Sequence, residues 1–123
     1  MSADHHHIVC SIAGSDPTGG AGLQRDLRTF AALGVGGTAV VTAVTVQGTA
    51  GVQAVHPVPP AILAGQLAVV RTDVRPAVWK TGMLWSADLV EVVADAADEG
   101  GVFVVDPVLS ASAGGRLAAD SLL

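Results

Sequence analysis

Short runs of β-branched and apolar residues alternate along this chain with segments whose apolar residues recur at helical spacing. The runs predict strands at residues 8–13, 38–46, 77–81 and 102–106, with a short extra strand at 52–55. The helical spacing predicts three helices, at residues 23–33, 59–71 and 86–99. Strands that alternate with helices favour an α/β fold with a mostly parallel sheet. The 38–46 run is almost continuously apolar or β-branched, as expected of a strand covered on both faces.

Composition and charge narrow the class of protein. The 123 residues are 50% hydrophobic, which excludes a wholly disordered chain, and the length suits one domain. Six basic residues against eleven acidic ones give a formal net charge of −5, which disfavours a nucleic-acid partner. The chain shows no secretory leader and no apolar run long enough to span a bilayer. We therefore expect a cytoplasmic protein with no membrane partner.

Four isolated residue signals have plain structural interpretations. Cys10, the only cysteine, lies in a predicted buried strand and is expected to be an inert core thiol. The consecutive histidines fall within residues 1–7, which we expect to form a disordered N-terminus. Lys80 ends a predicted strand, where a lysine typically extends its ammonium group outward. Arg25 and Arg28 are expected on a solvated helix face.

Polar residues and glycines collect where the predicted strands end. In an open α/β sheet, ligands bind beyond the carboxyl ends of the strands. Gln47 ends the second long strand, where its amide suits either a polar heterocycle or an ordinary strand terminus. Met83 follows the strand at 77–81 and is either part of an apolar wall or plain core. Asp106 precedes Pro107 and suits either a metal–phosphate group or a turn.

The glycine-rich loop at residues 14–22 is the most informative stretch. Its glycines let backbone amides approach a ligand, and the following helix points its N-terminus at the same place. The loop is not a P-loop, because Gly20 and Ala21 follow Gly19 where Lys and Ser or Thr are required. A purely structural turn remains the alternative. Asp26, in the first turn of the predicted helix, is either a dipole-stabilised carboxylate or an acceptor that faces a ligand.

Five sequence blocks carry a resemblance to a known family. The block AGSDPTGGAGLQ at residues 13–24, continuing to Asp26 and Leu27, resembles the opening signature of hydroxymethylpyrimidine/phosphomethylpyrimidine kinases of thiamine biosynthesis. Similar blocks follow in order: TAVTVQ at 42–47, GVQ at 51–53, KTGML at 80–84 and VVDPV at 104–108. Members of that family have the ribokinase-like fold, which implies three layers around a mostly parallel central sheet.

The resemblance implies both a reaction and a set of site residues. The reaction is ATP-dependent phosphorylation with Mg²⁺, first of the hydroxymethyl group of 4-amino-5-hydroxymethyl-2-methylpyrimidine and then of its monophosphate. The positions that match substrate contacts are Gly14, Asp26, Gln47, Met83 and Val108. Asp106 matches a position near the metal and phosphates.

The chain also departs from the family pattern. Family members are much longer, and their later half carries a Gly-Thr-Gly-Cys or Gly-Thr-Gly-Asp anion hole that has no match here, so no catalytic residue is assigned. Gly48 stands where an Asn is usual, and Ser112 stands where a Lys is usual. We therefore expect residues 8–123 to be the N-terminal part of such a kinase domain, as a fragment, truncated product or split protein, inactive alone.

Alternative functions remain open on the sequence. The first is a non-catalytic pyrimidine-binding or interaction module derived from such a kinase, and a less favoured one is an unrelated flavodoxin-like domain. A sheet without the later half exposes a strand edge and apolar faces, which predicts a homo-oligomer or a self-associating fragment.

Overall fold

The computed structural model of the chain describes residues 7–123. The strands are β1 (Ile8–Ser15), β2 (Gly36–Gly48), β3 (Gly51–Pro57), β4 (Val78–Thr81) and β5 (Val102–Val105). The helices are α1 (Gly22–Ala32), α2 (Pro60–Val69) and α3 (Ala87–Asp98), with a π-helical turn at Val70–Val74 and a 3₁₀ turn at Asp120–Leu122. The predicted disordered segment, residues 1–7, lies outside the described residues except for the exposed His7.

One five-stranded sheet with the order β3-β2-β1-β4-β5 forms the centre of the fold. β1 pairs in parallel with β2 and β4, and β4 pairs in parallel with β5. β3 turns back from β2 and pairs with it antiparallel. The prediction of an α/β fold with a mostly parallel sheet is therefore confirmed.

Helices cover the two faces of the sheet unequally. α2 and α3 contribute Leu63, Leu67, Leu89 and Val93 to the main core, where they meet Cys10, Ile12, Val40 and Trp79 of the sheet. α1 packs on β1 and β2 from the other face, because Leu27 and Phe30 lie against Gly37, which alternates with the core-facing Thr38 and Val40. The result is a three-layer arrangement, as expected for the ribokinase-like fold.

Local sequence explains where the helices begin. α2 starts at Pro60, where a proline is tolerated because the first-turn N–H has no intrahelical partner. α3 starts after Ser86, whose Oγ accepts a hydrogen bond from the Leu89 N–H at 3.3 Å. None of the helices within residues 7–123 combines the length and the apolar character that crossing a bilayer requires.

Several predicted boundaries differ from the observed ones. β1 continues through Ser15, two residues into the predicted loop, because a register shift between Ala13 and Gly14 lets pairing with β2 resume. The second helix ends at Val69 rather than at residue 71, and the chain continues as the π-helical turn. Arg75 then adopts a left-handed conformation (φ 55°), and Pro76 follows, so the helix cannot continue.

On the sheet face that carries α1, valines of β2 and β5 lie exposed on either side of that helix. Val44 and Val46 of β2 are each 53% exposed, so the prediction that this strand is covered on both faces is wrong for its carboxyl half. On β5, Val102 and Val104 are 59% and 53% exposed. They alternate with Phe103, which stacks on Trp79 toward α2 and α3, so both valines point to the α1 face. We call Val102 and Val104 the bare face of β5.

Candidate functional site

A cavity of about 490 Å³ opens at the carboxyl ends of β1, β2 and β4. Its walls are the glycine-rich loop, the ends of these strands and the segment after β5. The volume lies in the range of about 300–1,000 Å³ that is common for small-ligand sites. The position is the one that open α/β sheets use for ligands.

Most of the predicted site residues meet at this cavity. Its wall includes Gly14, Gln47, Met83, Val108 and Asp106. Each comes from a different strand end or from the segment after β5, as the sequence analysis expected. Their assignment as substrate or phosphate contacts stays a prediction.

Asp26 occupies a different place from the other predicted residues. It is absent from the described residues that line the cavity, and its carboxylate lies behind the wall, beneath β1 and β4. Asp26 Oδ2 accepts hydrogen bonds from Ser11 Oγ at 2.6 Å and from Lys80 Nζ at 2.9 Å. This carboxylate therefore holds two side chains of the sheet together.

Lys80 corrects an expectation from the sequence. The prediction that its ammonium group extends outward is wrong, because Lys80 lines the cavity and forms an ion pair with Asp26. Ser11 and Lys80 are register partners on adjacent parallel strands, so their side chains share the face toward α1. The Asp26 carboxylate, placed on that face by α1, attracts the ammonium group back over the strand.

The glycine-rich loop is fixed by side-chain hydrogen bonds. Asp16 Oδ1 accepts from both the N–H and the Oγ1 of Thr18, at 2.9 Å each. Gln24 reaches back from α1: its Oε1 accepts from the Asp16 N–H at 2.8 Å, and its Nε2 donates to Ser15 Oγ at 2.7 Å. Gly22 has a φ of +62° and packs against the Gly14 carbonyl, where no side chain fits. The loop therefore presents a preformed wall.

Neither Asp16 nor Gln24 is among the site residues predicted from the sequence. The available signal for Asp16 was the Asp-Pro-Thr run, since a short acidic side chain before a turn often binds the backbone two residues on. No comparable signal existed for Gln24, whose contacts depend on how α1 returns to β1.

Gln47 and Met83 give the cavity opposite chemical characters. The Gln47 amide oxygen lies 3.3 Å from Thr45 Oγ1, and its amide nitrogen has no hydrogen-bond partner among residues 7–123. Met83 is buried against Ala43 and Leu117, and its carbonyl accepts from Thr42 Oγ1 at 2.7 Å. A flat heterocycle can lie on the Met83 thioether while the Gln47 amide donates to its edge.

The segment after β5 covers part of the cavity. Leu117 packs on Met83, and the Gly114 carbonyl accepts from the Val52 N–H at 3.2 Å. The Ala119 N–H donates to the Trp85 carbonyl at 2.7 Å. These contacts attach the segment to β3 and to the start of α3, with Ser112 on the cavity wall.

Two candidate chemistries receive little support from the described residues. Cys10 is fully buried, and its burial raises the pKa of the thiol to about 12, so it remains a protonated core group. Residues 7–123 contain no cluster of three or more metal-ligating side chains. Asp106 supplies one exposed carboxylate to the cavity, and Mg²⁺ sites in enzymes often combine one or two carboxylates with substrate phosphates.

Comparison with known proteins gives the family. A family model described as phosphomethylpyrimidine kinase matches residues 16–123. The chain belongs to the phosphomethylpyrimidine kinase family. The match covers the glycine-rich loop from Asp16 onward, the Lys80–Asp26 pair, and every cavity-lining residue that follows the loop in sequence.

Two members of the phosphomethylpyrimidine kinase family match this chain over most of its length. The hydroxymethylpyrimidine/phosphomethylpyrimidine kinase of Bacillus subtilis is 49% identical over 112 residues, which cover 89% of this chain and 41% of that protein. The crystal structure of the Clostridium difficile phosphomethylpyrimidine kinase superposes with a TM-score of 0.85 at 36% identity, over 94% of this chain and 51% of that one.

A related vitamin kinase has the same fold. The pyridoxal kinase of Staphylococcus aureus, solved in complex with AMP-PCP and pyridoxal, gives a TM-score of 0.75 at 32% identity, over 87% of this chain and 41% of that one. The chain thus spans about half the length of the phosphomethylpyrimidine kinases it matches, or less.

Proposed function

We propose that this chain forms the pyrimidine-binding part of a hydroxymethylpyrimidine/phosphomethylpyrimidine kinase of thiamine biosynthesis. The whole enzyme transfers a phosphoryl group from ATP to 4-amino-5-hydroxymethyl-2-methylpyrimidine and then to its monophosphate. The observation that carries this proposal is the convergence of Gly14, Gln47, Met83 and Val108 on one cavity at the strand ends.

The chemistry of the cavity suits an aminopyrimidine. The ring is flat and apolar on its faces, which matches the Met83 and Val108 side of the wall. Its edge carries nitrogen acceptors and an amino donor, which match the free amide nitrogen and the amide oxygen of Gln47. Gly14 lets Met83 pack directly against β1, because the Met83 methyl group lies where a β-carbon at position 14 would be.

The phosphate donor is less well accommodated by the described residues. Asp106 fits as a ligand of Mg²⁺ or of its bound water, and Mg²⁺ would neutralise phosphate charge. The other described cavity, between α2 and α3, has a volume of about 170 Å³, too small for a nucleoside triphosphate. We therefore propose that the 123-residue chain binds the pyrimidine but does not catalyse ATP-dependent transfer alone.

Calorimetric titration of the purified chain with 4-amino-5-hydroxymethyl-2-methylpyrimidine tests the proposal. We expect saturable binding, weakened about 5- to 10-fold in Gln47→Ala, the loss that follows from removing one hydrogen bond. Gln53→Ala is the matched control, because Gln53 is exposed on β3 away from the cavity. Absence of binding, or equal losses in both variants, would contradict the proposal, and ATP-dependent phosphorylation by this chain would contradict its catalytic half.

The alternative function is a non-catalytic pyrimidine-binding or interaction module. A chain that binds the pyrimidine and gains no kinase activity when mixed with the later half of a relative favours this alternative. We also propose a cytoplasmic location, a small-molecule pyrimidine rather than nucleic acid or membrane as the partner, and self-association through exposed apolar surface.

A further inference from the structure

Lys80 is the single cation among the described residues that line the cavity. It is also the only lysine in the sequence. The cavity wall carries two carboxylates as well, those of Asp16 and Asp106. A ligand that enters with negative charge therefore meets one attractive side chain and two repulsive ones.

The hydrogen bonds of Lys80 leave donors unused. An ammonium group has three N–H donors, and Asp26 Oδ2 takes one of them at 2.9 Å. Within residues 7–123 the other two have no acceptor. The Lys80 side chain is 25% exposed and lines the cavity, so a ligand bound there can reach the ammonium group. An acceptor from a ligand would complete the set.

Neighbouring residues hold the Lys80 ammonium group in place and leave two of its N–H donors available. Ser11 Oγ donates to the same carboxylate oxygen at 2.6 Å, which fixes Asp26 Oδ2 from a fully buried position on β1. Gly82 leaves room above the strand, because a β-carbon there would lie 3.3 Å from Lys80 Nζ. Ser11, Asp26 and Gly82 thus act together as supports for one cation at the end of β4.

We propose that Lys80 binds an anionic phosphate oxygen of the phosphorylated pyrimidine, and so favours the monophosphate over the free alcohol. This inference rests on the proposed function and adds a specificity-determining residue to it. At neutral pH a phosphate monoester carries a charge of about −1.5 to −2, which a cavity with only carboxylates would repel. A charge-assisted hydrogen bond from Lys80 offsets that repulsion, whereas the uncharged alcohol gains much less from it.

Titration of Lys80→Met with both pyrimidines tests the inference. Methionine keeps a similar length and removes the charge. We expect the affinity for the monophosphate to fall about 10- to 100-fold, while the affinity for the alcohol changes less than about 3-fold. Arg25→Met is the matched control for net charge, because Arg25 is exposed on α1 and absent from the cavity wall; it should alter neither affinity.

Removing Lys80 leaves the Asp26 carboxylate without its partner, so Lys80→Met can lose stability. Lys80→Arg keeps a cation beside Asp26 and so keeps a partner for that carboxylate. We expect it to fold and to retain most of the monophosphate affinity that Lys80→Met loses.

The single lysine also permits a direct readout. In ¹⁵N-labelled wild-type chain, the Lys80 Nζ resonance should shift on addition of the monophosphate and move little with the alcohol. A wild-type chain that binds neither pyrimidine would overturn the proposed function and this inference with it. If the wild-type chain binds both pyrimidines, two results would overturn this inference alone. One is an equal loss of affinity for both pyrimidines in Lys80→Met, and the other is an Nζ resonance that does not move with the monophosphate.

Discussion

The cavity wall depends at residue scale on a close contact between Gly14 and Met83. A β-carbon at position 14 would overlap Cε of Met83 and lie 3.6 Å from the Ala43 carbonyl oxygen. The Met83 methyl group therefore occupies the space that any other residue at position 14 would need. Because Met83 is packed against Ala43 and Leu117, it has little freedom to retreat without entering the cavity.

We predict that Gly14→Ala displaces Met83, lowers the free energy of unfolding by about 1 kcal/mol, and weakens pyrimidine binding. Gly48→Ala is the control, since no atom lies within 4 Å of a β-carbon there, and its stability should change by less than about 0.5 kcal/mol. Urea denaturation of both variants measures the difference. Equal stability of the two variants would contradict the role given to the Met83 contact.

Residues whose position at the cavity follows from strand ends could be predicted from the sequence, and residues whose position follows from strand adjacency could not. Gly14, Gln47 and Met83 each follow a recognisable strand, and parallel strands bring their carboxyl ends together. Lys80 was predicted to extend outward because nothing in the sequence shows that β4 lies beside β1. Only that adjacency places Lys80 next to Asp26.

At the scale of single elements, two glycines with open surroundings differ only in backbone conformation. A β-carbon at Gly34 or at Gly65 would have no atom within 4 Å. Gly34 follows α1 and has a φ of +76°, which L-residues rarely adopt, whereas Gly65 lies inside α2. A β-carbon would thus have equal space at the two positions. The positions differ in that Gly65 needs helix propensity, whereas Gly34 needs a left-handed backbone that strains other residues.

We predict that replacing glycine by alanine has opposite effects on stability at positions 65 and 34. Gly65→Ala should raise the free energy of unfolding by about 0.5–1 kcal/mol, because alanine restricts the unfolded chain and favours the helix. Gly34→Ala should lower it by about 1–2 kcal/mol, because alanine is strained in the left-handed region. Thermal unfolding of the two variants beside the wild type measures both signs. A stabilising Gly34→Ala would contradict the prediction.

Element types were easier to predict than element ends. The apolar periodicity of α1 and α3 and the β-branched runs of the strands carry enough signal to place them. Arg71, in the π-helical turn that follows α2, lies 5.1 Å over the Trp79 ring and donates to the Ala96 carbonyl at 2.6 Å. These contacts form only after folding, so the local sequence does not show where α2 gives way to the π-helical turn.

At the scale of the whole molecule, the distribution of exposed apolar surface determines how the chain would self-associate. The bare face of β5 exposes Val102 and Val104, and β5 is the edge strand on that side of the described sheet. Unpaired backbone groups beside exposed valines favour pairing with another chain. The self-association proposed above would use this edge.

We predict that Val102→Lys reduces self-association in sedimentation velocity at rising protein concentration. The change places a charge on the edge and, because Val102 is 59% exposed, should alter the free energy of unfolding by less than about 0.5 kcal/mol. Val69→Lys, at an equally exposed valine on α2, should leave association unchanged. A monomeric wild type, or equal effects of the two variants, would contradict this use of the edge.

The strand order could not be predicted from the sequence, because many orders satisfy the same alternation of strands and helices. Right-handed crossovers and short connections reduce the choices without selecting one. The observed order depends on which apolar faces fit together across α2 and α3, a property of the packed core rather than of any segment.

The central position of β1 has a consequence for biosynthesis. β1 leaves the ribosome before the other four described strands, yet it pairs with β2 on one side and with β4, some 70 residues later, on the other. At synthesis rates of about 5–20 residues per second, the β4 side of β1 stays open for about 3–12 s while the intervening chain is made. During that interval β1 has an unpaired apolar edge, which is the kind of surface that chaperones bind.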